Sequence, residues 1–166
     1  MDPITFLLRF VGARLLRVAR VFFAHGGDVD RSEGPLELTF DRGAVVLRIG
    51  GDGATLIAED GAWQDPFPAA SLSPENQAWI ARHGKWSLFD LSDAPDYRPL
   101  VDAVLTSIRP LRTSNGRVCG VRLEFGKLTI DFAGTTDESL VFLHEQNDLR
   151  LAEMKVYVGE EVPPTR

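Results

Sequence analysis

The side chains with the widest chemical reach in this chain are three histidines, a single cysteine and a basic run flanked by tryptophans. His144-Glu145 opens like a zinc-binding helix, but the position four residues on is Asp148 and not a second histidine. On a helix His144 and Asp148 would share a face, and tetrahedral zinc would still need one or two further ligands. His25 and His83 stand alone in sequence. Asp28-Val29-Asp30-Arg31-Ser32-Glu33-Gly34 begins like a calcium loop. Such a loop needs glycine at its sixth position and a bidentate glutamate at its twelfth, and here those positions are Glu33 and Thr39. No metal is expected.

Nucleophilic and phosphate chemistry fare no better. Cys119 lies between apolar residues at the start of an expected strand, with no histidine near it, and reads as core filling. Gly50-Gly51-Asp52-Gly53 is rich in glycine but joins strand to strand, whereas a phosphate cradle opens a helix. No serine sits in a Gly-x-Ser-x-Gly elbow. No catalytic residue and no cofactor are therefore expected; an enzyme would have to assemble its residues through the fold alone.

The aromatic residues form the most distinctive local pattern. Trp79 and Trp86 flank Arg82, His83 and Lys85, and Trp63 and Phe67 stand just upstream in an acidic stretch. Tryptophan and arginine dominate binding hot spots. Trp63, Phe67, Trp79, Arg82, His83 and Trp86 are accordingly the candidate interaction residues. Equally, tryptophans can roof a small β core with their indole N–H groups satisfied by backbone, and Trp79 and Ile80 would then pack inward. His83 falls at an expected helix C-terminus, where the dipole favours a cation without any catalytic role.

These residues need a scaffold, and the chain writes its scaffold twice. Leu36-Glu37-Leu38-Thr39-Phe40, a turn and Val45-Val46-Leu47-Arg48-Ile49 recur in cadence as Val121 to Phe125 and Leu128 to Phe132. Val11 to Val18 has its counterpart in Val101 to Ile108. Fixed-offset similarity marks a repeated supersecondary unit. The expected organisation is one domain over 1–166, with units at about 3–58 and 95–142 joined by a helix-containing segment, 59–94.

Strand alternation places Leu36, Leu38 and Phe40 on one face and Glu37 and Thr39 on the other. Asp2-Pro3 and Ser73-Pro74-Glu75 carry helix-start signatures. The first helix should end near Gly12 and the second near Gly84. Strands are expected over 13–23, 36–40, 45–49, 55–58, 86–91, 103–111, 118–125, 127–132, 139–142 and 149–158, with Asn115-Gly116 as a hairpin turn. The fold class is mostly β (α+β): two related antiparallel meanders packed as a sandwich or partly closed barrel, with one or two short helices.

At 166 residues, with 44% hydrophobic and 25% charged side chains, the composition is that of a soluble globular protein. A net charge of −6 excludes a general nucleic-acid binder, which needs a basic stripe. The apolar N-terminal run is broken by Arg9, Arg14, Arg17 and Arg20, so neither a membrane span nor a signal peptide is expected. A single cysteine allows no internal disulfide, and a cytoplasmic location follows as the expectation. The function expected is a protein-interaction module of the acidic inhibitor or immunity type, masking a basic partner through Glu59 to Asp65 and Asp137 to Asp148. The alternatives are a small-molecule binder with a tryptophan-lined pocket between the sheets, and an enzyme. Homodimerisation through an edge strand is compatible with each.

Overall fold

Period-two alternation is the strongest pattern in the chain, and it produces sheet. The computed structural model describes residues 2–135, 138–144 and 147–163. After helix α1 (Pro3–Leu7), capped by the Asp2 carboxylate on Thr5 N, come β1 (Leu15–His25), β2 (Asp28–Asp30), β3 (Leu36–Phe40), β4 (Gly43–Ile49) and β5 (Leu56–Asp60). Helix α2 (Pro74–His83) and β6 (Lys85–Asp90) follow. The second half runs β7 (Ser107–Thr113), β8 (Val118–Phe125), β9 (Leu128–Thr135), β10 (Glu138–Leu143), α3 (Asn147–Glu153) and β11 (Val156–Val158).

These strands make two antiparallel sheets. In the first, β1, β3, β4 and β5 are neighbours in that order; β2 follows the hairpin along the same edge of β1, and β6 pairs the other edge. The second has the order β10-β9-β8-β7-β11. The connectivity of one repeats in the other, since each ends with a helix and then a strand that returns to its first long strand. The segment 59–94 thus contributes a strand to the first sheet. Arg14 and Val104 form an isolated antiparallel bridge between the halves, flanked by bonds from Gly12 N to Leu105 O (2.8 Å) and Leu15 N to Ala103 O (2.9 Å).

The inward faces meet in a hydrophobic cluster that includes Phe10, Leu15, Leu36, Leu38 and Leu47 from the first half and Ile108, Leu123, Ile130 and Phe132 from the second, all fully buried. Phe10 stacks on Phe40 with ring centroids 4.8 Å apart. Each such leucine or phenylalanine contributes about 1.5–3 kcal/mol on burial. A smaller cluster of Leu111, Cys119, Ala133, Leu151 and Val156 lies under α3. None of the described helices is long and apolar enough to cross a membrane.

Two expectations require correction. In place of the expected strand over Leu149 to Val158, 147–153 is helical and only Val156–Val158 pairs, with β7. The alternation of Met154, Val156 and Val158 hid a helix whose Leu151 is buried against the sheet, and Lys155, at φ 55°, breaks the chain between helix and strand. Likewise the strand expected from Ala103 starts at Ser107, because 101–106 is occupied by the bridge to Arg14.

Candidate functional site

The outer face of the first sheet carries the site. Glu37 on β3 points away from the core, yet it is only 1% exposed, because the chain after β5 folds back over it. Its carboxylate accepts the backbone N–H of Trp63 at 2.7 Å and a guanidinium N–H of Arg17 at 2.9 Å. Arg17 in turn donates from Nε to Asp90 at 2.7 Å. Further along the same loop, Asp65 accepts Phe67 N (2.8 Å) and Lys85 Nζ (2.7 Å), and Lys85 also donates to Phe67 O (3.2 Å). A stretch with no regular structure is thus tied at Trp63, Asp65 and Phe67 to β3 and β6.

Trp86 enters from the opposite side. It sits on β6 opposite Phe23 of β1 and packs edge-on against that ring, centroids 5.7 Å apart. The floor beneath is Val21, Gly34 and Pro35. Gly34 has φ 138°, and a Cβ there would overlap the Val21 carbonyl and come 3.5 Å from the Trp86 ring. Only glycine lets the chain pass so close. Arg20, 4% exposed, holds this floor by donating from one Nη to Gly34 O (2.9 Å) and Ser139 O (3.3 Å); its burial pulls the guanidinium pKa below its ordinary value.

The result is a cavity of about 480 Å³ walled by Trp63, Pro66 and Trp86, with Glu33, Arg48, Gln64 and Ser139 as polar residues of its lining. A second cavity of about 470 Å³ adjoins it over Val46, Glu59 and Asp60. Pro35, Arg48, Trp63 and Gln64 line both. A volume of this order, with aromatic walls and a few polar groups, is the usual make-up of a binding site.

The six candidate residues divide between two places. Trp63 and Trp86 line the groove. Phe67 and Trp79 stack at 5.7 Å, and His83 lies 5.1 Å from Trp79, so those three form a row along α2. Arg82 is exposed and makes no ion pair among the described residues. The expectation that Trp79 and Ile80 pack inward is corrected: α2 buries none of its residues and Trp79 is 50% exposed. Ser73 caps the helix N-terminus and Gly84, at φ 77°, ends it. With so little apolar surface covered, the helix is held by its caps and by Phe67.

Charge is arranged differently from what the sequence implies. The acids of 59–65 are not free to meet a partner: Glu59 holds Arg48 (2.6 Å), Asp60 holds Arg9 and Asp65 holds Lys85. Asp148 is taken by Arg122 (2.6 Å), while Asp137 and Glu145 lie outside the described residues. Partial burial of Asp65 opposes its ionisation, but Lys85 and the Phe67 N–H outweigh it and hold the carboxyl below the usual range. Asp90 follows the same pattern, with burial opposed by Ser92 and Arg17, and is brought to about 2. Groups depressed in this way stabilise the fold above the ordinary carboxylate value of about 4 and cease to do so as pH falls through the lowered value. Tryptophan emission in an acid titration is therefore expected to shift between about pH 4 and pH 2, with part of that shift absent from an Asp65→Asn protein.

A second test concerns the floor. Gly34→Ala is expected to lose about 2–3 kcal/mol by overpacking against Val21, seen in urea unfolding, and to alter the emission of Trp86. Unchanged emission would mean that the Gly34 approach does not set the ring position.

The remaining candidates stay apart. The described residues contain no group of three or more histidine, cysteine, aspartate or glutamate side chains able to hold a metal ion. His144, at φ 63°, ends β10 and lines a separate cavity of about 890 Å³ with Asp96, Tyr97 and Asn147. It lies outside α3, which carries Asp148, and Asp148 is turned to Arg122. Cys119 is buried, and burial pushes its thiol above the ordinary value, away from reactivity. Glu33, Gly34, Glu37 and Arg48 were missed by the sequence reading. The adjacent Glu-Gly-Pro at 33–35, a tight backbone signal after the polar loop, was the available hint. Comparison with known protein families, with curated proteins and with solved structures gave no match to this chain, so the geometry of the groove carries the functional argument.

Proposed function

We propose that this chain is a protein-interaction module that holds an extended segment of a partner protein in the groove between Trp63 and Trp86. The observation that carries this reading is the construction of the groove. Two tryptophans from separate elements face a glycine-proline floor, and the loop bearing one of them is anchored by a buried carboxylate. Anchored aromatic side chains around a partly desolvated pocket are the make-up of interaction hot spots. Two adjoining cavities share Pro35, Arg48, Trp63 and Gln64 as walls, an extended arrangement that suits a chain segment better than a compact ligand. The small-molecule alternative also finds support in the volume of the first cavity. Its lining is mostly the outer face of the first sheet but takes in Ile49, which packs against the core, and Ser139 of β10, so the pocket reaches the edge where the two sheets meet.

Proteins retained from a source-cell extract by the immobilised wild-type chain should be lost when either Trp63→Ala or Trp86→Ala replaces it, with both variants checked for folding by circular dichroism. Retention unaffected by either change would overturn the reading.

A further inference from the structure

Among the acids around the groove, one differs from the rest. Glu37, Glu59, Asp60 and Asp65 each face a basic side chain. Glu33 lines the same cavity as Trp63 and Trp86, is half-buried, and has neither an ion pair nor a hydrogen bond among the described residues. A half-desolvated carboxylate gains from a cation that joins it. Arg48 is the only cationic side chain among the described residues of that lining, and its guanidinium is already bonded through Nε (2.8 Å) and Nη2 (2.6 Å) to Glu59. Among the described lining side chains the unpaired charge is thus the Glu33 carboxylate; the Arg20 guanidinium, buried beneath the floor, is occupied by Gly34 O and Ser139 O and does not line the cavity. Gln64 donates one of its two amide N–H groups to Ala62 O (3.1 Å), and its side-chain oxygen accepts no hydrogen bond among the described residues.

Tryptophan faces attract cations, arginine most often, and a planar guanidinium both stacks on an indole and bonds a carboxylate. We propose that the groove recognises an arginine side chain on an extended segment of a basic partner, with Trp63 and Trp86 contacting the guanidinium and Glu33 accepting its N–H groups. This deepens, and rests on, the reading of the groove as a protein-binding site. The rest of the segment would lie along the second cavity over Val46 and Ala62. The overall charge of −6 draws such a partner in at low salt.

The test is a fluorescence titration with a blocked Ala-Arg-Ala-Ala-Arg-Ala peptide, its counterpart with citrulline at both arginine positions, and arginine amide alone. Citrulline keeps the shape and removes the charge. The arginine peptide should change tryptophan emission saturably in the millimolar range or below and bind more tightly than arginine amide. Citrulline replacement, or Glu33→Gln in the protein, should weaken binding roughly tenfold, as expected for a hydrogen bond to a charged group. Trp63→Ala and Trp86→Ala should each weaken it by at least as much. Equal binding of the citrulline peptide, an unchanged midpoint in Glu33→Gln, or no binding of the arginine peptide would overturn the arginine assignment; the groove itself would still stand or fall by the retention comparison. Arginine amide binding as tightly as the peptide would overturn the extended segment. Binding indifferent to both tryptophan changes would overturn arginine recognition in this groove.

Discussion

A Glu37→Ala protein is expected to stay folded, lose about 2–3 kcal/mol of stability and lose partner binding through the groove. The stability loss falls below that of a fully buried pair because Arg17 is 36% exposed and can rehydrate once its partner is gone. The binding loss follows from the other half of the arrangement. Without the carboxylate, Trp63 N–H has no acceptor, and the segment from 61 to 64 loses its attachment to β3. One wall of the groove then moves. Glu37→Gln separates the two effects, because an amide oxygen can still accept the Trp63 N–H while the charge that holds Arg17 is gone. Urea unfolding and partner retention on the same three proteins would give both readings. Binding that survives in Glu37→Ala would show that the loop holds its place without this anchor.

Asp131→Ala should destabilise more and yet spare binding. Asp131 is fully buried on the outer face of the second sheet and takes two bonds of 2.8 Å from Arg122, itself only 13% exposed. Burial pushes the Asp131 carboxyl up, against the pull of that guanidinium, while its two carboxylate partners hold Arg122 above its ordinary value. Removing one member of such a pair strands the other, at about 3–5 kcal/mol. Asp148 remains to Arg122, but its side chain is 80% exposed and replaces little of the loss. Because α3 covers this face and Ser139 is the one described groove-lining residue from the second sheet, the folded fraction of Asp131→Ala should bind as the wild type does. The pair of variants thus distinguishes loss of stability from loss of site. If Asp131→Ala lowered binding as much as Glu37→Ala at equal folded fraction, the groove would not be a local feature of the first sheet.

Much of the scaffold could be read in the sequence, for a simple reason. Alternation over Leu36 to Phe40 and Val121 to Phe125 records directly which side chains point inward, and the matched cadence falls on β3-β4 and β8-β9. Caps at Asp2 and Ser73 are local interactions within four residues, so their signatures are local too. The misreadings came where tertiary contact outweighs pattern. Residues 149–153 alternate passably as strand and fold as helix because Leu151 has a buried seat under the second sheet.

The site was only half legible. Its tryptophans stood out by type, but nothing near Trp63 in sequence shows that it is held by Glu37, 26 residues away. Acids at 59–65 looked free because their basic partners, Arg9, Arg48 and Lys85, come from three other elements. Conversely Glu33, unremarkable in a polar loop, becomes distinctive only once its neighbours are seen to be aromatic and its surrounding acids to be neutralised.

The three indole N–H signals of Trp63, Trp79 and Trp86, followed by nitrogen-15 NMR while a retained partner is added, test the central claim most directly. The groove reading predicts large shifts for Trp63 and Trp86, with backbone amides of Gly34 and Gln64 moving in the same titration. Shifts confined to the α3 face, around Leu149 and Tyr157, with both groove indoles unmoved, would contradict it.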